Sequence, residues 1–143
     1  GDISTDAFVE GIMQHAQRPT SREEVIAAWN AMHGGIPAER LQHIQQWKDA
    51  GHRLFLLSNN NDLHWEHILS QYNMSMFEHC FASHLMHMSK PDPRIYESVD
   101  NQLRKWQCEL PFHFVDDIAI NRETAEALGW KTYETIYEMN INQ

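Results

Sequence analysis

The chain has 143 residues, 42% hydrophobic and 22% charged, which excludes wholesale disorder and suits one domain, alone or with a small attached piece. Eleven Lys and Arg against twenty Asp and Glu leave a net charge of −9. That balance argues against a reader of nucleic-acid backbones and against a basic membrane-surface segment, and no apolar run reaches the roughly 18–20 residues of a membrane helix.

Residues 1–50 read as helical throughout. Ser4 is placed to cap a first helix carrying Phe8, Val9 and Ile12 at helical spacing, and Pro19-Thr20 breaks it. Ser21-Arg22-Glu23-Glu24 has the capping-box pattern ahead of Val25, Ile26, Trp29 and Met32, and Gly34-Gly35 closes that helix. Pro37 suits the first turn of a third helix, with Leu41, Ile44 and Trp47 on one side and a stop at Gly51.

From residue 52 onward short strands alternate with helices. Arg53–Ser58 is a strand fit for burial on both faces, and Asp62 or a neighbouring Asn caps the helix that follows. Phe81–Leu85 is a weaker strand. Asp92-Pro93 supplies an N-cap and a first-turn proline for a helix bearing Ile95, Tyr96, Val99, Leu103 and Trp106. Phe112–Val115 is a strand, Ile118–Leu128 a helix closed by Gly129, and Lys131–Tyr133 a last strand. The alternation predicts a parallel α/β sheet covered by helices, with ligands beyond the carboxyl ends of its strands.

Three strand ends carry the unusual residues. Ser58-Asn59-Asn60-Asn61 offers a hydroxyl and exposed N–H groups to an anion, although a polar turn with a helix cap explains the same residues. Ser89-Lys90-Pro91-Asp92-Pro93 stiffens the backbone around one ammonium, where a lone surface lysine would wander. Asp116-Asp117 ends a buried strand; adjacent carboxylates repel, and a hard cation such as Mg²⁺ relieves that, unless one caps the next helix and the other faces water. Asn121, one helical turn on, is placed to orient that loop.

Taken in order, these segments resemble motifs II, III and IV of the haloacid dehalogenase-like (HAD) hydrolase superfamily. The resemblance runs over roughly residues 1–137, because the opening GDISTDAF is similar to the helical cap of its small-cap phosphatases. It implies a HAD-like Rossmannoid sheet with helices on both faces, with residues 1–46 the remainder of a cap and residues 47–143 the C-terminal part of the core. It also implies roles. Ser58 would bond a phosphoryl oxygen, with backbone donors near Asn59. Lys90 would neutralise the nucleophile and the transferring group, and Asn121 would support the loop. Asp117 would bind Mg²⁺ directly, and Asp116 would act through a water or as a second ligand. The reaction implied is attack by an aspartate on a small phosphomonoester and hydrolysis of the resulting aspartyl phosphate.

The family's motif I, Asp-x-Asp after its first and central strand, has no match here. Asp2 and Asp6 lie in cap-like sequence instead. The chain, which opens at Gly1, is therefore expected to be a fragment, inactive alone, with two half-sheets facing each other across a gap. Pairing with the missing segment and homo-oligomerisation are both open. Alternatives are a non-catalytic binding or assembly protein on the same scaffold and, less favoured because both carboxylates are retained, a haloacid dehalogenase. Ten histidines raise a zinc site around His64, His67, His79, His84, His87 and Cys80, but solvated histidines explain them better without Cys-x-x-C or His-Glu-x-x-His. Cys80 and Cys108 read as reduced thiols; with no signal-peptide pattern, the expected location is cytoplasmic.

Overall fold

The computed structural model describes residues 3–31 and 35–139, so Gly1, Asp2, Met32 and Gly34 of the reading above lie outside it. Three helices come first: α1 (Thr5–His15), α2 (Arg22–Ala31) and α3 (Ala38–Asp49). Their ends are set locally. Ser4 Oγ accepts from the Ala7 N–H at 3.2 Å. The Ser21 hydroxyl accepts from the Glu24 N–H at 3.2 Å while the Glu24 carboxylate accepts from the Ser21 N–H at 2.9 Å, the reciprocal pair of a capping box. Pro37 stands one position before the expected first turn, at the N-cap of α3. Only Val9 of α1 is buried, and Ile12 stays exposed.

The remainder alternates β1 (Phe55–Ser58), α4 (Asp62–Gln71), β2 (His79–Ala82), the short α5 (Ser83–Met86), α6 (Pro93–Lys105), β3 (His113–Val115), α7 (Ala119–Glu126) and β4 (Lys131–Tyr133). One boundary differs from expectation in a way that matters: the second strand lies earlier than Phe81–Leu85, because Ser83–Met86 turns into helix. Of the two expected caps of α4, the neighbouring Asn takes the place, Asn61 accepting from the His64 N–H at 3.0 Å.

Among the described residues the strands form two separate parallel pairs. β1 pairs with β2 in the register Phe55↔His79 to Ser58↔Ala82, and β3 with β4 in the register His113↔Lys131 to Val115↔Tyr133. Between the pairs lies a cleft of about 1360 Å³ lined by β1 on one side and β3 on the other. All four residues of β1 are half-buried where burial on both faces was expected. The reason is that among the described residues β1 has a strand on one edge only, and its other edge opens on the cleft.

Helix α6 bridges the two halves. Its stripe of Ile95, Tyr96, Val99 and Leu103 recurs at helical spacing and is buried against Phe81 from β2 and against Phe112, Ala125 and Trp130 from the other half. Tyr96 meets Phe114 and Trp130 edge to face, at 5.9 and 5.7 Å between ring centres. Asp92 caps the helix by accepting from the Arg94 N–H at 3.0 Å, with Pro93 behind it. Towards the N-terminus, Trp29 of α2 stacks on His64 of α4 at 5.0 Å, and His64 Nε2–H donates to the Trp29 carbonyl at 2.9 Å, which ties the first helices to the core.

Ile95 is fully buried, so Ile95→Ala is expected to lower unfolding stability by about 2–5 kcal/mol, measured by urea titration. Tyr96→Phe gives the opposite contrast. The Tyr96 hydroxyl is buried without a partner among the described residues, so its removal is expected to leave the urea midpoint unchanged or raise it.

Candidate active site

The carboxyl ends of β1 and β3 face the same end of the cleft, and Ser58, Asn59, Lys90, Asp116 and Asp117 all line it. The centre is an ion pair. Lys90 Nζ lies 2.5 Å from Asp116 Oδ2, with the two side chains only 11% and 5% exposed. Pro91 and Pro93 fix the backbone from which the lysine projects, and the ring of Phe114 lies under its ammonium at 5.6 Å.

Asp116 is fully engaged. Besides Lys90, its Oδ1 accepts from the Ile118 N–H at 2.9 Å, and Asn121 Nδ2 donates to both carboxylate oxygens at 3.1 Å. Arg122 donates to its main-chain carbonyl at 2.8 Å. Burial alone pushes the Asp116 carboxyl up. The Lys90 hydrogen bond, the Ile118 N–H, the Lys90 charge and Asn121 outweigh burial and hold it below the ordinary aspartate range. Asp117 is the contrary case. It is exposed and carries no hydrogen bond or ion pair among the described residues, so adjacent carboxylates stand in opposite states, one committed and one open.

Across the cleft the loop after β1 is held by its amides. Asn60 Nδ2 donates to Ser58 Oγ at 2.8 Å, and Asn61 is the helix cap. Asn59 reaches Lys90 itself: its Nδ2 donates to the Lys90 carbonyl at 2.9 Å and its Oδ1 accepts from the Lys90 N–H at 2.8 Å. Ser58, Asn59, Lys90, Asp116 and Asp117 thus line one cleft, with Asn121 behind Asp116, while Asn61 and Asp92 serve as helix caps outside it.

Ser83, Phe114 and Arg122 were missed from sequence. The Ser83 hydroxyl accepts from the Asn60 N–H at 2.9 Å and donates to the Asn60 carbonyl at 3.0 Å, locking the loop to the end of β2. Its one signal, a hydroxyl at a strand end, is the signal that marks Ser58. The histidines singled out for a metal sit in other surroundings. His64 is on Trp29, His79 packs edge-on to Phe81 and Trp106, and His84 is buried 3.4 Å from Asp62. Among the described residues no three His, Cys, Asp or Glu side chains converge as a metal cage.

Lys90→Met keeps a stem over Phe114 but strands Asp116, so a stability loss of about 3–5 kcal/mol is expected at neutral pH. Because the native carboxyl is depressed, its stabilising contribution is complete above the unfolded value near 3.9 and lost as pH falls through the native one. The gap between native and variant urea midpoints is therefore expected to narrow below about pH 4. A gap independent of pH would contradict this account.

Known proteins place the geometry in context. The family model of haloacid dehalogenase-like hydrolases matches residues 7–129. A HAD family enzyme from Bacteroides thetaiotaomicron, solved in complex with magnesium and inorganic phosphate, is 30% identical with a TM-score of 0.82; the match covers 93% of this chain and 69% of that one. A HAD-like family hydrolase from Porphyromonas gingivalis is 26% identical with a TM-score of 0.76, over 93% of this chain and 67% of that one. A dehalogenase solved with an intermediate complex shares the fold at 20% identity and a TM-score of 0.62, over 89% of this chain and 56% of that one. This chain thus spans roughly two thirds of the first two relatives and less of the third. No described helix is long and apolar enough to cross a membrane. With the Ser-Asn and Asp-Asp strand ends and the Lys-Pro-Asp-Pro turn before α6 gathered on one cleft, and with the family model spanning most of its length, this chain belongs to the haloacid dehalogenase-like hydrolases.

Proposed function

We propose that this chain is the cap remainder, residues 1–46, and the C-terminal part of the core, residues 47–143, of a Mg²⁺-dependent phosphatase acting on a small phosphomonoester. The observation that carries the reading is the divided acidic pair: Asp116 committed to Lys90, Asp117 open beside it. Mg²⁺ is commonly bound through one or two carboxylates and otherwise by water and substrate oxygens, and the free Asp117 carboxylate fits that demand. Asp116, with both oxygens engaged, serves better as the anchor of Lys90 than as a second metal donor. The magnesium and phosphate of the Bacteroides relative support the same reading. The ion, when bound, offsets negative charge gathering on the phosphoryl group.

The chain's own residues then divide the work. Lys90, confined between Phe114 and Asp116, presents a fixed cation to phosphoryl oxygens, so that little reorganisation is needed as charge develops. Ser58 contributes a hydroxyl donor from the opposite wall, with main-chain donors near Asn59. Asn121 holds the Asp116 carboxylate in the orientation that serves Lys90. The nucleophilic aspartate is not in these 143 residues; a strand carrying it would pair with the open edges of β1 and β3, and the chain alone would not turn over.

The test is hydrolysis of p-nitrophenyl phosphate by the full-length gene product. Turnover is expected to need Mg²⁺, to be lost with a chelator, and to fall about 10²–10³-fold in Asp117→Asn and in Lys90→Ala. The 143-residue chain alone is expected to show none. An inactive full-length protein would favour the non-catalytic assembly reading, and halide release without added metal would favour a dehalogenase.

A further inference from the structure

Lys90 poses a hydrogen-bonding problem of its own making. Pro91 has no N–H, and the local turn runs from Ser89 to Asp92, whose N–H donates to the Ser89 carbonyl at 2.9 Å. Among the described residues neither main-chain group of Lys90 finds a main-chain partner. Both are met by one side chain from another part of the chain. Asn59 donates Nδ2–H to the Lys90 carbonyl at 2.9 Å and accepts the Lys90 N–H on Oδ1 at 2.8 Å, across 31 residues. A planar amide making two bonds to one residue fixes its position and its rotation, which a single bond cannot do.

From this we infer that Asn59 is a positioning residue for Lys90: its side chain binds the lysine's main chain to the end of β1 and serves phosphate binding through the ammonium. The inference deepens the proposed function, since it assigns the amide after Ser58 to aiming the cation. It also separates two tasks. Asp116 and Phe114 hold the tip of the Lys90 side chain from the β3 wall, while Asn59 holds its root from the β1 wall. The lysine is thereby fixed at both ends across the two halves of the molecule.

The test needs no turnover, so its outcome is independent of whether the phosphatase reading holds. The 143-residue chain is labelled with acetic anhydride, and the acylation rate of each lysine is read by mass spectrometry. In Asn59→Ala, Lys90 is expected to react roughly fivefold faster, the factor that corresponds to one net neutral hydrogen bond, with Lys48, Lys105 and Lys131 unchanged. Asn59→Asp keeps the acceptor for the Lys90 N–H and loses the donor, and is expected to give an intermediate rate. If all four lysines accelerate in Asn59→Ala, that variant has loosened as a whole and Asn59→Asp decides. A Lys90 rate equal to the unaltered chain in the deciding variant, or a rise shared by every lysine there, overturns the inference.

Discussion

The pairing of Lys90 with Asp116 is the constraint on which the functional end of this molecule depends. It joins a loop that follows one pair of strands to the tip of the other pair, which among the described residues share no strand pairing. Two charges so little exposed are costly to remove from water, and their mutual attraction alone does not guarantee a gain. Here the remaining valences are met: Ile118 and Asn121 complete the carboxylate, and the Phe114 ring faces the ammonium. The pair is stable because its surroundings are complete, and removing either member leaves the other a buried charge without its counter-ion.

The two half-sheets would have little reason to stay in register without α6. Its apolar stripe touches Phe81 on one side and the Phe112, Phe114 and Trp130 cluster on the other, so a single helix supplies the core that a continuous sheet would otherwise share. The loop that opens α6 also carries Lys90, so the element that fastens the halves also delivers the cation to the cleft. Packing and site geometry are coupled through the same few residues, Asp92 and Pro93 setting where the helix begins and hence where the lysine stands.

Much of this was legible in the sequence because it is local. The Ser4 cap, the Ser21–Glu24 box and the Asp92-Pro93 start depend on residues no more than three apart, and each forms as its pattern predicts. The three strand ends were legible because unusual polar residues follow apolar runs. What the pattern could not carry was partnership at a distance. Nothing in the order of residues says that Asn59 would seek Lys90, that Ser83 would lock Asn60, or that Asp116 rather than Asp117 would take the lysine. The second strand differs from expectation because Phe-Ala-Ser-His-Leu over 81–85 carries large apolar residues only at its two ends, four apart, which suits helix as well as strand, and the short α5 begins at Ser83.

Carboxyl-carbon NMR of the 143-residue chain examines the division of labour between the two neighbouring carboxylates directly. The Asp116 resonance should titrate below the ordinary aspartate range, and should move up when Lys90 is replaced by methionine. An Asp116 carboxyl that titrates in or above the ordinary range in the unaltered protein would contradict the account, because the lysine would then not be held where the proposed chemistry needs it.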